Sequence, residues 1–315
     1  MYEHSVYVAV NHVFLDGIGA SRLVCIVLDE DPNDLSVVPR FRYAPGLTEC
    51  LIASKALPML AHLPKRHFSY DVPWDEYRAP HFRAHYSAEQ ADFARMKRAL
   101  ESCNGGQCGY AASIVSLVAL FLLAHSDKGE VSIGLTTSFQ SDEDRFNSVS
   151  VVFLRLRRES NWHRTDDYVR LVLLSRQVNC ALRLYGKEQA LGVYVLTNYY
   201  GFYGRSHDPG NRGRANSGPQ QVDCTVSCGT LRFPMKCNGK PATLERVEMF
   251  GTSMPVYVGA YTCNDRFHVD MYARTFELAV DDSTPFILSR LVASLPPEGV
   301  TTPEIDSSRR TSCSP

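Results

Sequence analysis

The apolar run from Ile114 to Ala124, IVSLVALFLLA, constrains this chain more than any other segment. It falls well short of the roughly twenty residues a bilayer-spanning helix needs, so it reads as a helix buried inside a globular core. With 315 residues, 44% hydrophobic and 21% charged, the chain has an ordinary soluble composition and enough length to bury such a helix. The opening segment MYEHSVYVAV lacks the basic and apolar regions of a signal peptide and alternates like a strand, so the chain reads as beginning inside a fold.

Charge names no partner. The 33 basic and 34 acidic residues balance to a net charge of -1, which gives no footprint for nucleic acid or an anionic membrane. The 10 cysteines are spread widely through a chain far larger than a disulfide-dependent mini-domain, so reduced cytosolic thiols are expected. Cys224 and Cys228 have no second Cys/His pair at zinc-site spacing, and no metal is expected.

Around the buried run, helix and strand patterns alternate, which is the signature of an α/β fold. SVYVAV (5–10) reads as a strand and the apolar spacing from Ile18 to Leu28 as a helix opening after Gly17. Prolines break the stretch 31–85 except for a short helical segment near Thr48 to Leu60. Ser87 with Gln90 reads as a capping box opening a helix to Leu100. VSIGLTTSF and VSVVFLRLR read as strands on either side of the charged loop SDEDRFNS, and Thr165 and Asp166 as the cap of a helix to about Tyr185. VYVLTNYYGFY then reads as strand-like, before a Gly/Asn/Ser/Arg-rich loop from Arg205 to Gln220. VDCTVSCGTLRF, ERVEMFG, PVYVGAYTCN and FHVDMYARTF are four strand candidates, and a helix is expected from about Thr284 to Leu295.

One motif carries chemistry. Asn11-His12-Val13-Phe14-Leu15-Asp16-Gly17 fits H-x-x-x-D-G between a strand and a helix. It resembles the signature of the chloramphenicol acetyltransferase-like superfamily, which includes acyl-CoA alcohol acyltransferases and peptide-synthetase condensation domains. The downstream order is similar too: a crossing segment, an amphipathic helix, an apolar helix, a strand pair with Arg145 and Asn147, and Thr225-Val226-Ser227-Cys228-Gly229 where the family carries a Ser-Asn-x-Gly stretch. The likeness covers roughly residues 5–295. It departs from the family in having Asn11 where many relatives have a first histidine, and in lacking the Asp-Phe-Gly-Trp-Gly motif of the plant enzymes.

The resemblance implies a two-layer α/β sandwich with a mixed sheet packed by helices. It implies a remnant N-terminal lobe with the motif at 1–60, a crossing segment at 61–85, a C-terminal lobe at 86–298 and a disordered tail at 299–315. Relatives carry over a hundred residues before the motif, so most of an N-terminal lobe is expected to be absent, with a partner lobe or homo-oligomer a way to complete the site.

Acyl transfer from a thioester to an alcohol needs a base near neutral pH, and an imidazole suits that task. His12 is the candidate base; read without the motif, it is a histidine satisfied at a strand-to-loop corner. The resemblance implies that Asp16 pairs with an arginine to shape the histidine loop, and that Gly17, otherwise a turn glycine, lets a pantetheine arm pass. Ser227 stands where relatives place a group stabilising the oxyanion, and is otherwise a polar strand residue. His268 and Asp270, two apart on a strand, share a face and read as sheet decoration.

The expected activity is that of a cytoplasmic acyl-CoA-dependent O-acyltransferase acting on an alcohol, with acyl-CoA as co-substrate and neither a bound cofactor nor a covalent intermediate. Two alternatives stand beside it: a condensation-like domain fed by carrier-protein thioesters, and a silent paralogue serving as an interaction module.

Overall fold

The computed structural model describes residues 66–69, 82–138, 149–199, 222–230, 255–263, 265–281 and 284–295, with isolated positions at 47, 50, 51, 54, 236–237 and 240–241. Among these, the chain runs β1 (Phe82–Glu89), α1 (Gln90–Cys103), α2 (Tyr110–Ala124), β2 (Glu130–Ser138), β3 (Val149–Arg157), a 3-10 turn (Trp162–Arg164), α3 (Asp167–Tyr199), β4 (Cys224–Thr230), β5 (Lys236–Cys237), β6 (Lys240–Pro241), β7 (Val256–Cys263), β8 (Arg266–Ala273) and α4 (Leu288–Ser294).

Six strands form one mixed sheet in the order β1-β8-β7-β4-β2-β3. β4 lies parallel to both β2 and β7, whereas β1/β8, β7/β8 and β2/β3 are antiparallel. The helices cover one face, α2 against β2, β4 and α3, and α3 against β3. That face carries Val131, Ile133, Leu135, Leu154, Leu156, Val226, Val258, Val269 and Met271, all buried. This is the expected α/β architecture, a mixed sheet packed by helices.

The apolar run lies inside α2, every residue of which from Ala112 to Leu123 is buried, because a helix apolar all round must be covered all round. Its two buried hydroxyls are satisfied locally: Ser113 donates to the Gly109 carbonyl at 3.1 Å and Ser116 to that of Ala112 at 2.6 Å. Gly134 is required where β2 meets β3, since a Cβ there would stand 2.9 Å from Val151 Cγ1. The β7–β8 hairpin turns through two residues, with Asp265 at φ 58°.

Four expectations need correction. Ser87 does not cap a helix; it lies within β1, paired with His268, and accepts from Arg266 Nε at 2.8 Å. The alternation Phe82, Ala84, Tyr86, Ala88 puts one face of that strand on the core, and pairing with β8 outweighs the local capping pattern. The helix opens instead at Gln90, whose N–H donates to the Asp265 carbonyl at 3.0 Å. The second correction is VYVLTNYYGFY, whose described residues, as far as Tyr199, are helical: α3, capped at its start by Asp166 Oδ1 accepting from Val169 N–H at 2.8 Å, continues through β-prone residues. Third, α4 begins at Leu288, a turn later than expected. Fourth, Cys180 is disulfide-bonded, although Cys50, Cys103, Cys108, Cys224, Cys228 and Cys263 are free thiols.

Candidate functional site on the polar face of the sheet

His12, Asp16 and Gly17 lie outside the described residues, as do Arg145 and Asn147. Ser227 is described, and it stands in the middle of β4 on the sheet face opposite the helices.

Side chains alternate along a strand, so the positions between the core residues share that second face. It carries Ser132, Gly134 and Thr136 on β2, Thr225, Ser227 and Gly229 on β4, Tyr257, Gly259 and Tyr261 on β7, His268 and Asp270 on β8, and His85 and Ser87 on β1. The helix-covered face is hydrocarbon; this one is built from hydroxyls, rings, glycines and a carboxylate. Pairing sets Ser227, Gly259, Asp270 and His85 in one cross-strand row.

Two hydrogen-bonded groups occupy the face. In the first, Thr136 Oγ1 lies 3.1 Å from Ser227 Oγ and 3.3 Å from the Val226 carbonyl, donating toward both. Ser227 accepts from Thr136 and donates its own proton to the Tyr257 phenol oxygen. Burial raises the Tyr257 phenol, an effect that its hydrogen bond with Ser227 partly offsets, so the phenol stays neutral and able to donate as well.

In the second group, His85 Nδ1 donates to Asp270 Oδ1 at 2.7 Å, and His85 Nε2 lies 3.4 Å from His268 Nδ1. Asp270 is fully buried and His268 is 3% exposed, with the Tyr261 ring stacked on His268 at 5.0 Å. Burial, followed by the neighbouring His85, pushes the His268 pKa down and keeps that ring neutral near pH 7. The expectation of a shared face for His268 and Asp270 holds, but their partner was missed. His85 belongs to a segment expected to be irregular, and the only trace of its role was a second alternating stretch, His85-x-Ser87, able to pair with His268-x-Asp270.

A third cluster marks the contact between residues 66–69 and the sheet. Asp223, fully buried, accepts from the N–H groups of His67, Phe68 and Ser132, from Ser132 Oγ at 2.8 Å, and from His67 Nδ1 at 2.9 Å. His67 Nε2 reaches Glu130 at 2.8 Å, and Glu130 in turn meets Arg155 and Arg157. A carboxylate saturated by main-chain donors is a clamp. Among the described residues no group of three or more His, Cys, Asp or Glu side chains is placed to hold a metal, and no helix is long and apolar enough to cross a membrane.

No family model and no curated protein matches the sequence. Solved structures do match. A trichothecene 15-O-acetyltransferase from Fusarium sporotrichioides aligns at TM-score 0.55 with 13% identity, over 83% of this chain and 60% of that one. A condensation domain that mediates chain release from the enacyloxin polyketide synthase aligns at TM-score 0.51 with 13% identity, over 93% of this chain and 58% of that one. The EpoB cyclization-docking bidomain from Sorangium cellulosum aligns at TM-score 0.52 with 10% identity, over 82% and 53%. The fold is therefore the one shared by condensation domains and this acetyltransferase, the chloramphenicol acetyltransferase-like fold. The chain spans 53–60% of the length of these structures.

Proposed function

We propose that this chain is an acyltransferase that moves an acyl group from a coenzyme A thioester to an alcohol by direct attack, within the cytoplasm. The observation that carries the reading is Ser227: in a fold shared with an acetyltransferase, it sits on the polar sheet face with its oxygen engaged by Thr136 and its proton on the Tyr257 phenol oxygen, from which it can turn to a developing oxyanion. A donor so held suits the oxyanion that forms when an alcohol adds to a thioester carbonyl.

In this reading His12 takes the alcohol's proton as the C–O bond forms, and the thiolate leaves as the C–S bond breaks. Asp16 holds the loop, Gly17 gives the pantetheine arm room, and a partner lobe or second copy supplies the rest of the cleft. The similarity to condensation and cyclization domains supports a second donor, an acyl group carried on a carrier-protein thioester.

The test is thiol release from acetyl-CoA and longer acyl-CoAs over a panel of alcohols. Acceptor-dependent release is expected, falling by at least about 10³-fold in His12→Ala and about 10²-fold in Ser227→Ala. Release from a carrier-bound thioester alone would favour the second donor. A folded chain that releases thiol from neither would instead fit a silent interaction module.

A further inference from the structure

Gly259 stands between Ser227 on β4 and Asp270 on β8 in the cross-strand row, and it carries no side chain of its own. The row is bridged from two residues away. Tyr257 shares the strand and face of Gly259, and an aromatic side chain reaches the diagonal neighbours on adjacent strands. Its phenol hydrogen-bonds Ser227 on one flank and feels the charge of Asp270 on the other. The two hydrogen-bonded groups of this face therefore meet at a single side chain.

The direction of each bond follows from the donors present. Thr136 gives its proton toward Ser227, and Ser227 gives its own to the phenol oxygen. Burial above all, with the Asp270 charge adding to it, keeps the phenol protonated. A neutral phenol oxygen holds the serine proton by an ordinary hydrogen bond, whereas a bond to an oxyanion is about twice as strong. Ser227 is thus aimed by a partner that a developing oxyanion can displace. Without the phenol, a mid-strand serine is free to turn its hydroxyl to a neighbouring main-chain carbonyl, and its proton is no longer aimed.

We propose that Tyr257 is a positioning residue for acyl transfer: it holds the Ser227 proton in one orientation until the oxyanion takes over that hydrogen bond, and it acts through Ser227 alone. Its part in catalysis rests on the acyltransferase reading; the hydrogen bond by which it works does not.

Thiol release by the full chain, Tyr257→Phe, Ser227→Ala and the double variant forms a cycle. Tyr257→Phe keeps the ring and removes only the hydroxyl, so it is expected to lower kcat about tenfold while the acceptor KM changes by less than about twofold. In the Ser227→Ala background the same substitution is expected to change kcat by less than about twofold, because a residue acting through Ser227 has nothing left to aim. An unchanged kcat in Tyr257→Phe, a loss carried by KM instead, or a tenfold loss that persists without Ser227 overturns the proposal.

Should no acyl-CoA and alcohol turn over, the acyltransferase reading fails and the hydrogen bond is tested by itself. In the full chain carrying tyrosine labelled with 13C at Cζ, the Tyr257 signal is assigned by its loss in Tyr257→Phe. Near neutral pH that signal is expected to move further in Ser227→Ala than the signal of any other tyrosine. A Tyr257 signal that stays in place overturns the positioning contact itself, whatever the activity.

Discussion

Asp223 and Asp270 are both fully buried aspartates, and each holds a histidine Nδ1, at 2.9 Å and 2.7 Å respectively. Around Asp223 the donors are chiefly main-chain N–H groups from two separate segments, residues 67–68 and β2, which fixes those segments to each other. The bond to Asp270 Oδ1 comes from the end of a side chain, His85, whose other nitrogen makes only a long contact. The same residue pair thus does two things: where backbone donors saturate the carboxylate it ties two segments together, and where a side chain meets it, it fixes the orientation of a ring.

The largest expected effect separates the two at once. Asp223→Ala strands several buried donors and should cost about 3–5 kcal/mol or prevent folding, whereas Asp270→Asn, which keeps an acceptor for His85, should cost under about 2 kcal/mol. Chemical denaturation of the two variants side by side checks this; equal losses would dissolve the contrast.

Next in size is His67→Ala, which removes the ring between Asp223 and Glu130 but leaves the main-chain donors in place. A loss of about 1–2 kcal/mol is expected, clearly smaller than that of Asp223→Ala. A loss as large as the aspartate's would mean that the ring, not the backbone, holds the clamp.

The smallest effects concern pH. The His268 pKa lies below its unfolded value, mainly through burial, so the folded state resists taking up that proton. Its contribution is complete above about pH 6.5 and is lost as pH falls below that value, toward the folded pKa. His268→Gln should therefore flatten the fall in stability just below pH 6.5. Glu130 has the same proton logic from a different cause: burial would raise it, but the Arg155 hydrogen bond and the charges of Arg155, His67 and Arg157 bring it down overall. Its contribution is complete above about pH 4.5 and wanes as pH falls below that, and Glu130→Gln should remove that slope. Denaturant midpoints measured from about pH 3 to pH 8 resolve both windows.

Much of the fold could be read from periodicity. The buried helix, strands β2, β3, β4, β7 and β8, and the Asp166 cap all follow from residue spacing, because each is settled within one element by which side must be dry. β1 was missed because a Ser-x-x-Gln sequence satisfies a capping rule locally, and only pairing with β8, distant in sequence, gives its alternation a partner. The end of α3 was missed because β-branched and aromatic residues read locally as strand, although the helix opened at Asp167 runs on through them to Tyr199.

The candidate site divides the same way. The sequence by itself determined residue types and their alternation: Ser227 in mid-strand, His268 and Asp270 on one face, and a glycine between two tyrosines on β7. Tertiary structure alone decided that His85, 185 positions away from Asp270, is its partner and that Gly259 falls between Ser227 and Asp270. The physical reason is register. Spacing fixes which side of a strand a residue occupies, but which residue stands across from it depends on strand order and pairing, and those are set by the burial of the whole sheet against its helices.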